Sequence, residues 1–122
     1  MLPENEYKKK LFLDDLRSVD MVYDKTTVND YCVVRSYAAF VAYVQSHGLP
    51  DFISFDNDLG LDEQGEVAPD GYAAAKWLVY ESGLDLSTLM FKVHSANPVA
   101  AEQIRGLLDN YIKHLKSGAG II

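Results

Sequence analysis

Ile53-Ser54-Phe55-Asp56-Asn57-Asp58-Leu59-Gly60 reads as a buried β-strand that ends abruptly in two carboxylates and a glycine. Two other apolar runs end the same way. Leu11-Phe12-Leu13 meets Asp14-Asp15, and Met90-Phe91-Lys92-Val93 meets His94-Ser95-Ala96-Asn97. Short unbroken apolar runs suit strands of a parallel sheet covered on both faces. In an open parallel sheet the strand tips lie side by side, and ligands bind there. The chain is therefore read as built to bring three polar tips together.

The segments between these runs supply the rest of an α/β pattern. Lys10–Asp14 is the first strand and Tyr31–Arg35, rich in β-branched residues, the second. Residues Leu16–Asn29 carry no helical apolar period and read as a long loop with at most one helical turn. Ser36 is an N-cap for a helix whose Tyr37, Phe40, Val41 and Val44 share one face, stopped by Gly48 and Pro50. Asp51–Asp56 is the third strand. Residues 57–69 form a long acidic loop, Asp70 caps a helix over Gly71–Glu81, and Leu89–His94 is the fourth strand. Asn97-Pro98 opens a last helix with the stripe Ile104, Leu107, Leu108, Tyr111, Ile112 and Leu115, closed by Gly118. Ala119–Ile122 is a frayed tail or the stub of a fifth strand, and Met1–Tyr7 a loose leader. Strands alternating with helices imply a parallel sheet with right-handed crossovers. The expected fold is a three-layer α/β domain with four or five parallel strands, a reduced first helix and a truncated C-terminal end. It forms a single domain over 1–122, with its core at about 8–118.

Composition narrows the chemistry. At 122 residues the chain is long enough for one real core. Eighteen acidic against eleven basic residues give −7, which disfavours binding along an extended nucleic-acid backbone. A small or terminal phosphate held through a metal ion stays open. Cys32 is alone, so no internal disulfide forms, and a reduced cytoplasmic setting is the simplest expectation. No run approaches the roughly 20 apolar residues of a membrane helix, and no secretory leader is expected. Lys8–Lys10 reads as a solvated strand entry. Trp77 and the eight tyrosines read as core and rim rather than base-stacking platforms, and oligomeric state is not encoded legibly.

Asp14, Asp15, Asp56 and Asp58 at two strand tips would repel one another if all were ionised and unpaired. A divalent cation relieves that, most naturally Mg²⁺, which takes oxygen ligands and keeps waters for a phosphate. The competing reading makes them ordinary turn and cap residues. An EF-hand loop from Asp56 fails, because it needs an oxygen ligand at 60, Gly at 61 and Glu at 67, where the chain has Gly60, Leu61 and Val67. His94 is the candidate general acid or base, against a purely structural role. Ser95 is a phosphate donor or, less naturally, a nucleophile. Arg17 suits bidentate phosphate contacts or an ion pair with a nearby aspartate. Asn97 is a helix cap or a phosphate contact.

The sequence Pro50-Asp51-Phe52-Ile53-Ser54-Phe55-Asp56, with Asp14-Asp15 before it and Ser95 after it, resembles a response-regulator receiver domain. More closely, Leu11-Phe12-Leu13-Asp14-Asp15-Leu16-Arg17, Ser54-Phe55-Asp56-Asn57-Asp58-Leu59-Gly60 and His94-Ser95-Ala96-Asn97-Pro98 resemble the cyclic-phosphate-processing receiver family, over about Leu11–Leu115. The resemblance implies a receiver (flavodoxin-like) fold. It also implies a metal held by Asp14, Asp15 and Asp56, and a small phosphorylated ligand or RNA end as partner. Where receivers have a fifth-strand Lys this chain has none, and Asp58 and His94 are additions. In such relatives the position of Asn57 is often His.

These readings set out an enzyme: a divalent-metal-dependent phosphohydrolase acting on cyclic phosphates. In it Asp58, His94 and Ser95 are catalytic, and Arg17, Ser95 and Asn97 bind phosphate. The alternatives are a signalling module phosphorylated on Asp56, a haloacid-dehalogenase-like phosphatase using Asp56-Asn57-Asp58, and a non-catalytic interaction module.

Overall fold

The computed structural model describes residues 10–61 and 64–117. The leader, most of the basic triplet, Asp62 and Glu63, Gly118 and the expected fifth-strand stub lie outside the described residues.

Four parallel strands form one sheet: β1 (Lys10–Leu13), β2 (Tyr31–Val34), β3 (Phe52–Phe55) and β4 (Met90–Val93), in the order β2-β1-β3-β4. Three helices follow β2, β3 and β4 in turn: α1 (Tyr37–His47), α2 (Gly71–Tyr80) and α3 (Pro98–Lys116). This is the parallel α/β sheet that the alternation predicts, in the receiver-type arrangement that the resemblance implies. Where the sequence shows no helical period, the chain makes two 3₁₀ helices, Val19–Met21 and Lys25–Asp30. The side chain of Asp24 caps the second, accepting from the Thr26 amide at 2.9 Å.

Right-handed crossovers decide which face each connection covers. The chain steps from β1 to β2 in one direction and from β2 through β3 to β4 in the other. The 3₁₀ segment therefore lies on one face and α1 and α2 on the opposite one, where α3 packs beside α2. The helical face holds the main core: Leu11, Leu13, Val34, Ile53 and Phe55 from the strands, against Phe40, Val44, Ala74, Trp77, Leu78, Ile104 and Leu108. Trp77 is buried there against Phe40 as a core residue. Cys32 is half-buried and packs on the same core. On the opposite face, strand alternation sets Phe12 and Tyr31 in a smaller cluster with Val19, flanked by Val22, Tyr23 and Phe52.

The helix boundaries follow their caps. Ser36, Asp70 and Asn97 each accept hydrogen bonds from amides in the first turn of α1, α2 and α3. Gly71 is required for a steric reason. A Cβ there would lie 2.0 Å from the carbonyl oxygen of Asp56, so only glycine lets α2 start against the β3 tip. No helix among the described residues is long and apolar enough to cross a membrane.

Candidate functional site

Register brings the tips together. Leu13 pairs with Phe55, and Phe55 with Val93, so the next rung aligns Asp14, Asp56 and His94. The ladder continues into that rung. The amide of Asp14 donates to Val34 O at 3.1 Å, that of Asp56 to Leu13 O at 2.9 Å, and that of His94 to Phe55 O at 2.8 Å. The ends of β1 and β3 are the topological switch point of this strand order, where such sheets take ligands.

Asp14 is 1% exposed and saturated with donors. Its Oδ1 accepts the amides of Leu16 (2.9 Å) and Arg17 (2.8 Å). Its Oδ2 accepts Arg17 Nε at 2.9 Å and pairs with His94 Nε2 at 3.0 Å. Burial pushes the Asp14 carboxyl up. The two amides, the His94 ring and the Arg17 charge together outweigh it and hold the group below the usual carboxylate value.

Asp56, on the same rung, is held differently. Its Oδ1 accepts the Asn57 amide at 2.8 Å and faces Arg17 Nη2 at 3.3 Å. Burial and the Asp14 charge push its carboxyl up to about 6, against the pull of Arg17 and the Asn57 amide. The Arg17 guanidinium thus bridges both carboxylates and also donates to the His94 carbonyl at 3.3 Å. Arg35, beside them on β2's side, donates to the carbonyls of Asp14 at 3.1 Å and Arg17 at 2.6 Å, fixing the loop that carries Arg17.

A pocket of about 400 Å³ opens over these groups, lined by Asp14, Asp15, Leu16, Arg17, Asp56, Asp58, Gly60 and Ala96. All four aspartates of the sequence reading therefore face one pocket. Asp58 is exposed at its edge and accepts from Asn57 Nδ2 at 3.3 Å. Asn57 is buried and clamps the start of α2, its Oδ1 accepting the Tyr72 amide at 3.2 Å. Gly60 has φ +76°, and a Cβ there would meet Asp15 Oδ2 at 2.9 Å, so glycine allows the loop to close on Asp15. A second cavity of about 500 Å³ shares Asp15 and Gly60 with the first and is walled by Tyr37, Leu59, Leu61 and Pro69.

His94 does not line the pocket. Its side chain is 5% exposed, both ring nitrogens are engaged, and the ring stacks on Phe12 at 4.7 Å with 2° between planes. Enclosure pulls its pKa below the usual histidine value, against the Asp14 hydrogen bond and charge, which favours the neutral ring. Ser95 Oγ accepts the Asn97 amide at 3.1 Å, and Asn97 Oδ1 accepts the amides of Val99 and Ala100 at 3.1 and 3.2 Å. Ser54 and Tyr23 were not legible as site residues. Ser54 Oγ lies 2.6 Å from His94 Nδ1, and Tyr23 OH 2.7 Å from Ser54 Oγ. The signal for Ser54 was a hydroxyl inside an otherwise apolar strand, since buried polar groups have partners.

Ligand atoms of Asp14, Asp56 and His94 lie within 4.8 Å of one another, a cluster able to hold a metal ion. The donor chemistry favours its carboxylates. The two His94 nitrogens are committed to Asp14 and Ser54, and Asp14 has no lone pair left while Arg17 is bound. The Arg17 side chain is one-third exposed. With it displaced, Asp14 and Asp56 present hard oxygen donors of the kind Mg²⁺ takes.

A family model described as "Cyclic-phosphate processing Receiver domain" matches residues 9–110. No curated protein matches the chain. Among solved structures, a fusion carrying the yeast Spc42 trimeric coiled coil is similar at 18% identity. The match covers 92% of this chain and 79% of that one, with a TM-score of 0.54. At that identity the likeness is one of fold.

Proposed function

This chain belongs to the cyclic-phosphate processing receiver family, and on that premise we propose that it is a divalent-cation-dependent phosphoesterase that opens cyclic phosphates on nucleotides or RNA ends. The observation that carries the reading is the convergence of Asp14 and Asp56, bridged by Arg17, under a pocket that Asp15 and Asp58 also line. An isolated acidic group at a strand tip would need no such company.

Asp14 and Asp56 would hold the cation, with Asp15 reaching it directly or through a water. When bound, Mg²⁺ supplies charge neutralisation at the phosphoryl oxygens and a more acidic water. Arg17, released from the two carboxylates, pairs with phosphoryl oxygens through its planar fork. Asp58, exposed at the pocket edge, accepts a proton from the attacking water. The water oxygen joins phosphorus, one ring P–O bond breaks, and Asp58 returns the proton to the departing oxygen. His94, enclosed and bonded at both nitrogens, acts through Asp14 rather than on the substrate. Ser95 and the Asn97 amide group offer further donors to phosphate. The adjoining cavity with Tyr37 and Leu59 has room for the organic part of the ligand.

The test is ³¹P NMR of a 2′,3′-cyclic mononucleotide, and of a short RNA ending in a cyclic phosphate, incubated with the protein and Mg²⁺. Conversion to a monoester is expected, with a loss of about 10²-fold or more in Asp58→Asn. No turnover of either substrate, by protein that binds Mg²⁺ in calorimetry, overturns the reading. A second reading, phosphorylation of Asp56 in signalling, draws on that residue's position in the pocket. A one-phosphate adduct after incubation with an acyl phosphate, absent in Asp56→Asn, would favour it.

A further inference from the structure

Beside the pocket over Asp14 and Asp56 lies the second cavity, of about 500 Å³, and Asp15 and Gly60 line both. The reaction proposed above takes place in the first and needs no chemistry from the second. Local sequence builds that second cavity. Ser36 caps α1, so Tyr37 and Ala38 line it from the start of the helix. The rest of the wall comes from the loop after β3, which turns back on itself. Gly60 makes the turn at φ +76°, Leu61 and Val67 form an antiparallel bridge, and the Ala68 amide donates to Gly60 O at 3.0 Å. That closure holds Leu61 and Pro69 in the wall.

The wall has two chemical characters. Tyr37, Leu61 and Pro69 make it apolar, with Tyr37 its aromatic residue. Arg35 and Ser36 make another part polar. Arg35 Nη1 donates to the carbonyls of Asp14 and Arg17 at 3.1 and 2.6 Å, and the rest of its guanidinium has further N–H groups to offer. Ser36 Oγ accepts the Ala39 amide at 3.1 Å and keeps its hydrogen for another acceptor. Leu61 is 66% exposed here, and Leu16, at the first pocket, 82%. Two large apolar side chains left open along adjoining cavities fit a ligand that covers them.

A hydrocarbon tail would cover Leu61 but strip water from Arg35 and Ser36 without replacing its hydrogen bonds. A bare polyol would serve the polar part and leave Tyr37 and Leu61 uncovered. A nucleobase meets both needs, since its faces stack on aromatic and apolar groups and its edge carries hydrogen-bond acceptors. In a nucleoside phosphate one ribose joins base to phosphate, which sets the two in neighbouring pockets. We propose that the second cavity receives the base of the nucleotide whose phosphate enters the first, with Tyr37 and Leu61 as specificity-determining residues. The ligand class is then a nucleoside phosphate, free or at an RNA end, and not the cyclic phosphate of a small polyol. The link to a phosphate rests on the cyclic-phosphate reading, whereas the base site does not.

Amide NMR titrations of the full chain with Mg²⁺ decide it, using adenosine, adenosine 3′-monophosphate and glycerol 2-phosphate as probes. Adenosine should shift the amides of Tyr37, Ala38 and Leu61. Adenosine 3′-monophosphate should shift these together with Asp14 and Asp15, and bind about 10-fold or more tightly than glycerol 2-phosphate. Tyr37→Ala should lose about 10-fold in affinity for the nucleotide, with Tyr37→Phe close to the wild type. Tyr37 also packs against the main core, so Leu61→Ser, at an exposed position, supplies the test if Tyr37→Ala does not fold. It should weaken the nucleotide by about threefold and leave glycerol 2-phosphate unchanged. Equal affinity for the two phosphates overturns the base site, and so does adenosine that shifts no amide of this cavity. Unchanged nucleotide affinity in Leu61→Ser overturns the role given to that wall. Glycerol 2-phosphate that binds while adenosine shifts nothing ends this proposal and leaves the phosphate reading standing. Adenosine shifts in the cavity, with Asp14 and Asp15 unmoved by either phosphate, support the base site and count against the phosphate reading.

Discussion

The two faces of the sheet do different work. On the helical face, Leu11, Leu13, Ile53 and Phe55 are fully enclosed by side chains of α1, α2 and α3. On the other face, Phe12 is equally enclosed, but its neighbours are Tyr23, Tyr31 and the His94 ring, under two short 3₁₀ helices. Toward the outer strands that face opens, with Val33 36% and Met90 68% exposed. One face is bound by apolar area alone, which is non-directional. The other spends its enclosed space on a series of polar contacts from Tyr23 through Ser54 and His94 to the Asp14 carboxylate. A sheet covered by helices on both faces would bury more apolar surface, and it would leave no room for Tyr23 to reach Ser54.

If the faces divide this way, equivalent truncations on each should differ in what else they disturb. Phe55→Ala removes a fully enclosed ring from the helical core and is expected to cost about 3–5 kcal/mol of unfolding free energy. Folded variant molecules should still show the wild-type His94 ring-nitrogen signals. Phe12→Leu is expected to cost less stability, yet to move those signals, because it removes the stack that fixes the ring plane. Urea unfolding followed by ring ¹⁵N shifts checks both. Unperturbed His94 signals in Phe12→Leu would show that the second face does not hold the ring.

Asp56 gives the next largest effect, with a sign that sets it apart from Asp14. A carboxyl with a folded-state pKa of about 6, against 3.8 when unfolded, holds its proton more tightly folded. Its contribution to stability is fullest below pH 3.8, falls between there and about 6, and is flat above. That shift corresponds to roughly 3 kcal/mol. Asp14, held low, contributes in the opposite sense, and its stabilisation is lost only as pH falls below the ordinary carboxylate value. His94, also held low, makes the protein lose stability as pH falls below 6.5. The wild-type curve mixes all three, so the difference from Asp56→Asn is the quantity to measure. The variant should gain on the wild type between pH 4 and pH 7, up to roughly 3 kcal/mol without cation. Added Mg²⁺ should reverse the order at pH 7. A difference that is the same at both pH values would mean that Asp56 is not held protonated by its surroundings.

How far the sequence could be read follows the same division. The helical face was legible because its signals are local. Periodic stripes from Tyr37 to Val44 and from Ile104 to Leu115, and the caps Ser36, Asp70 and Asn97, all stand in the structure where their spacing sets them. The strand ends and the polar tips were legible for the same reason, and register then aligned Asp14, Asp56 and His94. The other face was not legible. Residues Leu16–Asn29 have no period, so nothing local says that they make 3₁₀ turns and deliver Tyr23 to a serine on another strand. Arg17 was visible as a cation beside acids, but its bridging of Asp14 and Asp56 is a tertiary fact. His94 was visible as a histidine at a tip. Its inward direction depends on Phe12 and Ser54, which are distant in sequence.

Asn97 offers the smallest effect and the cleanest separation of a helical-face duty from a site duty. Its Oδ1 caps α3, and its place beside Ser95 puts it near the pocket edge formed by Ala96. Asn97→Ala removes the cap and is expected to cost about 1 kcal/mol. Asn97→Asp keeps an oxygen for the same two amides and adds a negative charge at the positive end of α3. Its stability should therefore match the wild type or exceed it by about 0.3–1 kcal/mol. A phosphate bound within reach of position 97 would feel that charge. The dissociation constant for inorganic phosphate, measured with Mg²⁺ at saturation, should then rise by about two- to fivefold in Asn97→Asp. Because the substitution leaves the cap intact while adding a charge and removing the Nδ2 donor, a change in affinity without lost stability places position 97 within reach of the bound phosphate. Unchanged affinity in Asn97→Asp, alongside lost stability in Asn97→Ala, would confine Asn97 to the helix it caps.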